Sequence, residues 1–449
     1  MLNYIWLAFV VLAVLIGGFN GRLPEVTKGA FETARDAVMV IALPLIGIMA
    51  IWLGIMKLAE QSGLVQVIAR ALRPLLRRLF PDVPHDHPAM GSMVMNIAAN
   101  MLGLGNAATP LGLRAMRDLE SLNPRPGTAT NAMCTFLAVN TSSVQLIPTT
   151  AIGILAVNGA VNPTAIVSTA FIATLCAAIC GVVSAKFLEK LPGFRLAPVS
   201  DTPAPATEKS AQTSEAIALE KIECRPLTPL RVTFLTLFAL TFVLLFTMLV
   251  WPTLFTGWKI PPQPADFAGK PTHIRALSTV SLLAVPFLLS FFPLYAAMRG
   301  VKVYEQFVEG AKEAFATAQR IIPFLVAMLV AIKMFKEAGG IDMLAFVLGK
   351  PLAWLGFPIE LLPMTLMRPL SGGATLGLFT DVVKQFGGDH FNSRLAATIY
   401  GSTETTFYVL AVYFGSVAVR RTRHAVYAGL IADLTGVIVS VLICRAMFG

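Results

Sequence analysis

Two clusters of hydrogen-bonding side chains interrupt otherwise apolar stretches: Asn140, Thr141, Ser142, Ser143 and Gln145, and Ser402, Thr403, Glu404, Thr405 and Thr406. In lipid such groups are costly unless they pair with one another or with a ligand, so each cluster is a candidate binding site. Glu404 is the only carboxylate among them and lies ten residues from Arg394 and sixteen from Arg420. At 1.5 Å per helical residue these separations are roughly 15 and 24 Å, which places Glu404 near the middle of a span. It is the candidate for binding a coupling cation or exchanging a proton. The competing reading is a structural charge pair with Arg368, the other charge expected at membrane depth.

A second group of candidates sits where glycines break helices. Asn96 and Asn100 share a helix face at i, i+4 spacing, and Gly103 and Gly105 follow, with Asn106 next. Thr109 reads as an N-cap and Pro110 as the first residue of a new helix, which Asn123-Pro124 stops after about Leu122. Such a helix is roughly 20 Å long, too short to span comfortably. Later in the chain, Ser371, Gly372 and Gly373 form a similar break, followed by a helix from about Thr375 to Phe386 that Gly387-Gly388 ends. Both are read as re-entrant hairpins. Their tips would bring unpaired N–H groups and positive helix ends toward the bilayer middle, suited to a carboxylate, a phosphate or a polarised heterocycle. Alternatively the glycines only permit close helix packing. The candidate substrate-binding set is Asn96, Asn100, Asn106, Asn140, Thr141, Ser142, Ser143, Gln145, Ser371, Gly372, Ser402, Thr403, Glu404 and Thr405.

Other chemistry is weakly represented. His85-Asp86-His87 lies in a proline-rich connection, and two imidazoles with one carboxylate fall short of a closed metal site. No nucleophile–base pairing, phosphate-binding loop or dinucleotide fingerprint stands in a suitable context. No enzyme activity, cofactor or metal is expected. The five cysteines, Cys134, Cys176, Cys180, Cys224 and Cys444, lie mostly in apolar runs and read as packing residues rather than a disulfide framework.

The elements that must position these groups are membrane helices. The 449 residues are 56% hydrophobic and 13% charged, against about 25% charged in soluble domains. Apolar stretches recur at Leu2 to Phe19, Ala37 to Leu58, Ala132 to Val157, Pro163 to Leu188, Val232 to Trp251, Ile274 to Met298, Ile321 to Phe335, Leu395 to Val419 and Ala425 to Phe448. Roughly eight to twelve crossings are expected. Leu2 to Phe19 lacks the basic n-region and cleavage site of a signal peptide and reads as a retained helix. The net charge of +10, gathered at Arg70 to Arg78, Arg299 to Lys302 and Arg420 to Arg423, suits loops facing anionic lipid and needs no nucleic acid. Leu64 to Phe80 aligns Gln66, Arg70, Arg73 and Arg77 on one stripe, an amphipathic helix for the headgroup plane or one docked on the bundle.

The chain divides into residues 1–193, a polar linker at 194–229 and residues 230–449, because the linker composition cannot bury a core. The two halves repeat. Glu60, Gly63, Pro74, Phe80 and Pro81 stand opposite Glu337, Gly340, Pro351, Phe357 and Pro358 at one offset of 277 positions, and LGNAATPLGL at Leu104–Leu113 matches PLSGGATLGL at Pro369–Leu378 at an offset of 265. Pro44 and Pro323 each interrupt an apolar span. Paired repeats suggest an all-α polytopic transporter-like fold with broken or re-entrant helices and an inverted pseudo-two-fold.

The stretches Asn96 to Pro124, Phe136 to Pro148 (FLAVNTSSVQLIP), Met367 to Thr375 (MRPLSGGAT) and Tyr400 to Gly415 (YGSTETTFYVLAVYFG) resemble spore maturation proteins A and B fused in one chain. Proteins of that kind contain the Gate, or nucleoside-recognition, membrane domain. The resemblance implies a multi-pass bacterial inner-membrane protein whose two Gate modules are similar to those of ferrous iron transporter B and concentrative nucleoside transporters. No GTPase domain like that of the iron transporter is read here, so a gradient supplies the energy or transport is passive. The expected function is a secondary transporter or channel-like carrier of a small polar, nucleoside-like or anionic metabolite. The alternative is a non-transporting membrane assembly or envelope factor. Expected partners are membrane lipid and a small-molecule or ion substrate, with a homo-oligomer allowed and nucleic acid excluded.

Overall fold

The computed structural model describes residues 2–84, 86–103, 105–195, 225–255, 267, 269–340, 343 and 356–449. The regular structure there is helical. In chain order the first copy contains α1 (Leu2–Phe19), α2 (Leu23–Asp36), α3 (Leu43–Gln61), α4 (Leu64–Leu79), α5 (Pro88–Met101), α6 (Gly105–Glu120), α7 (Asn131–Ser142), α8 (Thr149–Val157) and α9 (Val167–Leu188). The second contains α10 (Pro229–Val250), α11 (Thr272–Met298), α12 (Val303–Glu337), α13 (Leu362–Met367), α14 (Gly372–Phe386), α15 (Phe391–Ser402), α16 (Thr406–Gly415) and α17 (Ala425–Phe448). A π-helical segment, Ala37–Ala42, joins α2 to α3 just ahead of Pro44. His85, Cys224, most of the linker and most of Ile341 to Phe357 lie outside the described residues.

Among the described residues five helical stretches are long and apolar enough to cross a bilayer: Leu23–Gln61, Pro163–Leu188, Pro229–Val250, Thr272–Met298 and Ala425–Phe448. Roughly eight to twelve crossings are expected; of the nine apolar stretches two are split, and Leu2–Phe19 forms a shorter apolar helix. Ala132 to Val157 divides into α7 and α8 around Ser143, whose left-handed φ of 39° ends the helix. Leu395 to Val419 divides into α15 and α16, with Thr403 extended at φ −147°. Each polar cluster therefore occupies a helix break. Backbone groups freed at such breaks must find partners inside the protein. Two do so on the hairpins: Leu146 N donates to Met101 O at 2.9 Å, and Phe407 N donates to Pro369 O at 2.9 Å.

The hairpin breaks fall where read from the sequence, but the helices that follow them begin earlier. Gly103 turns the chain at φ 76°, and helix geometry resumes at Gly105, so Thr109 and Pro110 lie inside α6 rather than at its start. The counterpart α14 starts at Gly372, where the Ser371 hydroxyl accepts from Ala374 N at 3.2 Å, instead of at Thr375. Gly387, at φ 86°, ends α14 as expected.

The two copies are entwined. The proline-bearing α3 and α12 pack on each other, as do α9 and α17. Across the copies α6 lies on α16 and α14 on α8, while α7 packs on α17 and α15 on α9. The loops repeat this exchange. Arg420 N and Arg421 N donate to Gly127 O at 2.9 and 3.0 Å. Correspondingly, Val161 N donates to the Asp389 carboxylate at 2.7 Å. Each exchange has its mirror, which is what a two-fold relation between repeats requires. The main core runs through both copies and includes Phe80, Phe136, Met133, Phe379 and Ile399. The amphipathic α4 buries Val65, Ala69 and Leu76 against α5 and turns Arg70, Arg73 and Arg78 outward.

Candidate functional site

The four breaks converge on one cavity of about 190 Å³. The first copy contributes Asn100, Gly103, Gln145, Pro148, Thr149, Thr150 and Ala151; the second contributes Arg368, Tyr400, Gly401 and Glu404. Neither copy alone encloses this space. Thr149, Thr150 and Ala151 are the first residues of α8, and no side chain caps that helix. Its N-terminal turn therefore presents positive partial charge to the cavity.

Arg368 reinforces that polarity. It is only 4% exposed, its Nη2 donates to Tyr400 O at 2.9 Å, and its guanidinium carbon lies 4.8 Å from the Tyr400 ring centroid. Its Nε has no hydrogen-bond partner. Glu404 lines the same cavity, yet none of the ion pairs among the described residues joins it to Arg368. Glu404 lies in the break between α15 and α16 rather than within one continuous helix, and its backbone N donates to Thr141 O at 2.6 Å, a bond between the copies. The site thus offers a buried cation and a carboxylate that are not in direct ion-pair contact.

Behind the wall, the asparagines form one network. Asn100 Nδ2 donates to Asn140 Oδ1 at 3.0 Å, and Asn140 Nδ2 donates to Phe136 O at 2.9 Å. Tyr413 of α16 donates its hydroxyl to Asn140 Oδ1 at 3.3 Å and accepts from Asn96 Nδ2 at 3.4 Å. Asn96 also donates to Ala108 O at 2.8 Å, tying the two arms of the first hairpin together. Only Gly112 allows this arrangement, since a Cβ there would fall on the Tyr413 hydroxyl and 2.8 Å from Asn96 Nδ2.

Of the candidates, Asn100, Gln145 and Glu404, with Arg368, line the cavity. Asn140 stands one hydrogen bond behind it, and Asn96 joins Asn140 only through the Tyr413 hydroxyl. Ser142 bonds back to Ala138 O and Val139 O, and Ser402 to Ile399 O, so both hydroxyls serve their own helices. Ser143 Oγ is buried without a partner. Ser371 caps α14, and Thr405 Oγ1 is 3.0 Å from a Cβ built on Gly372, so these residues fix where the second hairpin meets the second break. Thr141 contributes its carbonyl, Thr403 its extended backbone, and the side chain of Asn106 lies outside those described. His87 Nδ1 accepts from Ala89 N at 3.2 Å as the N-cap of α5. Cys134 and Cys444 are buried free thiols.

Sequence reasoning passed over Tyr413 and Asp433. Tyr413 resembles any aromatic in an apolar run. Asp433, in α17, carried a usable signal, as a carboxylate isolated between Arg423 and Arg445 in a long apolar stretch.

A family model described as nucleoside recognition, Gate, matches residues 42–188 and 318–420. Spore maturation protein A of Bacillus subtilis (strain 168) is 44% identical over 183 residues, covering 41% of this chain and 93% of that protein. Spore maturation protein B of the same strain is 43% identical over 176 residues, covering 39% of this chain and 99% of that protein. The matched segments hold both hairpins and both polar breaks. With two Gate regions folded around a shared cavity, this chain belongs to the Gate nucleoside-recognition family of multi-pass membrane proteins.

Proposed function

We propose that the protein is a secondary carrier of a small polar metabolite bearing an anionic group, nucleoside-like molecules included, in the bacterial inner membrane. The observation that carries this reading is Arg368, a buried cation without an ion-pair partner among the described residues, facing a cavity built by both repeats. A buried charge is costly unless compensated, and an anionic ligand on Arg368 and the α8 N-terminus would compensate it. Asn100 and Gln145 supply amide groups for the ligand's polar edges, and Glu404 accepts from its donors or holds a coupling cation. In this reading the groups around the cavity bind and orient a ligand rather than transform it. Lipid is the surrounding partner, and a homo-oligomer is compatible with it.

The test is a thermal-stability screen of the purified protein against nucleosides, dicarboxylates, amino acids and divalent cations. A ligand present at 100 times its Kd stabilises the folded state by about 2.7 kcal/mol. An anionic ligand should raise the midpoint of the wild type and lose that effect in Arg368→Gln. No shift across the library in a well-folded sample would refute the carrier reading. It would favour a membrane assembly factor, the second reading, which the maturation names of the two relatives support.

A further inference from the structure

Asp433 sits within α17, eight residues past its start, and is 5% exposed. The helix is pressed against the second break at this point. A Cβ on Gly436 would stand 2.9 Å from Ser402 Oγ and 2.9 Å from Thr403 Cγ2, and one on Gly429 would stand 2.7 Å from Thr406 Cγ2. Between these two glycines the Asp433 carboxylate meets the chain exactly where α15 gives way to α16. Thr406 Oγ1 donates to Oδ2 at 2.6 Å and the Thr403 hydroxyl lies beside the carboxylate, while Oδ1 is buried and makes no hydrogen bond of ordinary geometry.

A carboxylate with one oxygen well bonded and the other without a well-formed hydrogen bond is unstable as an anion in a membrane interior. Two things can relieve Oδ1, a metal cation or a proton. A hard cation needs about six oxygen ligands, whereas the Thr406 hydroxyl already directs its hydrogen at the carboxylate and no third acidic, histidine or cysteine side chain joins a metal-binding group here among the described residues. A proton needs only Oδ1. The charges that bear on Asp433 are Arg368 and Glu404, which both line the cavity. Other titratable groups on the helices packed around α17 are Cys134 on α7, Cys176, Cys180 and Lys186 on α9, Arg394 and Tyr400 on α15, and Tyr408 and Tyr413 on α16.

We propose that Asp433 is a proton-exchanging carboxylate coupled to the cavity through the Thr403–Thr406 break. The proposal rests on the carrier reading. In one state a proton from water is bonded to Oδ1 and the side chain is neutral. When the break shifts and Oδ1 reaches water, that proton returns to water and leaves the anion, with Thr406 still donating to Oδ2. Glu404, one residue from Thr403, links this exchange to occupancy of the cavity.

Infrared difference spectra between acidic and alkaline pH, on protein reconstituted in lipid and labelled with 13C-aspartate, read the exchange without any ligand. The expected result is an isotope-shifted protonated-carboxyl band that titrates, is absent from Asp433→Asn, and moves its midpoint in Thr406→Val but not in Thr406→Ser. A band that persists in Asp433→Asn, or no aspartate band at any pH in folded wild-type protein, overturns the proposal. Should Asp433→Asn fail to fold, the Thr406 pair decides: an unmoved midpoint in Thr406→Val refutes it. A titrating band in a protein that binds no ligand would mean that the carrier reading had failed and proton exchange had not.

Discussion

The sharpest structural commitment is the fit of Gly112 beneath Tyr413. An alanine methyl at this position overlaps the Tyr413 hydroxyl and comes within 2.8 Å of Asn96 Nδ2. Both partners are held: Tyr413 is 6% exposed and stacks on Phe136 at 6.1 Å, and Asn96 is fully buried and bonded to Ala108 O. The methyl cannot be accommodated by a surface rotamer change. Overpacking of this kind costs about 1–3 kcal/mol. Displacing the phenol also threatens its bonds to Asn140 and Asn96, each worth about 0.5–1.5 kcal/mol. Gly112→Ala should therefore destabilise the protein by about 2–4 kcal/mol, read by equilibrium unfolding in mixed detergent micelles. Tyr413→Leu empties the contested space, so the double variant should be more stable than the sum of the single effects by at least about 1 kcal/mol. Because Asn140 in turn holds Asn100 at the cavity wall, Gly112→Ala should also weaken any ligand-induced thermal shift. Additive single effects within about 0.5 kcal/mol would refute the packing argument.

Two pH-dependent predictions lie at the ends of the helices. Burial, with smaller contributions from Arg423 and Lys186, lowers His424 to about 4, and both ring nitrogens lack partners. Its folded pKa is below the unfolded value near 6.5, so stability is full above pH 6.5 and falls as pH drops toward 4, by at most about 3 kcal/mol; His424→Phe should flatten that decline in a pH series of unfolding midpoints. At the other end, burial pushes Asp389 up, but hydrogen bonds from Val161 N, Arg394 and Asn162 N outweigh it and hold the carboxyl below its ordinary range. Its contribution is present above the unfolded pKa of about 3.9 and is lost as pH falls through the lower folded value. Asp389→Asn should cost about 1 kcal/mol at neutral pH and show a smaller further loss on acidification.

How much could be read from the residues alone follows the range of the forces involved. Apolar run length identified lipid-facing helices, and recurrence of Gly, Pro and Glu at constant offsets identified two copies, because both are properties of the chain read in order. The hairpin breaks at Gly103 and Ser371–Gly372 were legible for the same reason: a left-handed glycine and a serine cap act within one turn. The helix after the first break begins a few residues earlier than read because Pro110 is tolerated inside α6, where a local rule would have started the helix. The split of Ala132 to Val157 and of Leu395 to Val419 was hidden, since Ser143 has no glycine-like signature and both breaks are held by hydrogen bonds to residues distant in sequence.

The site itself belongs to the tertiary structure. Arg368 and Glu404 lie 36 residues apart in sequence, and nothing local says that they share a cavity without pairing, or that Asn100 and Gln145 from the other copy close it. Tyr413 reaches Asn96 across 317 residues, and Asp433 finds Thr406 only because Gly429 and Gly436 let α17 approach the break. The sequence by itself determined that the chain must enter a membrane as two similar modules with polar interruptions, since hydrophobic burial and backbone hydrogen bonding act locally. Which interruptions meet was decided by the exchange of helices between the copies, a packing solution that no single segment encodes.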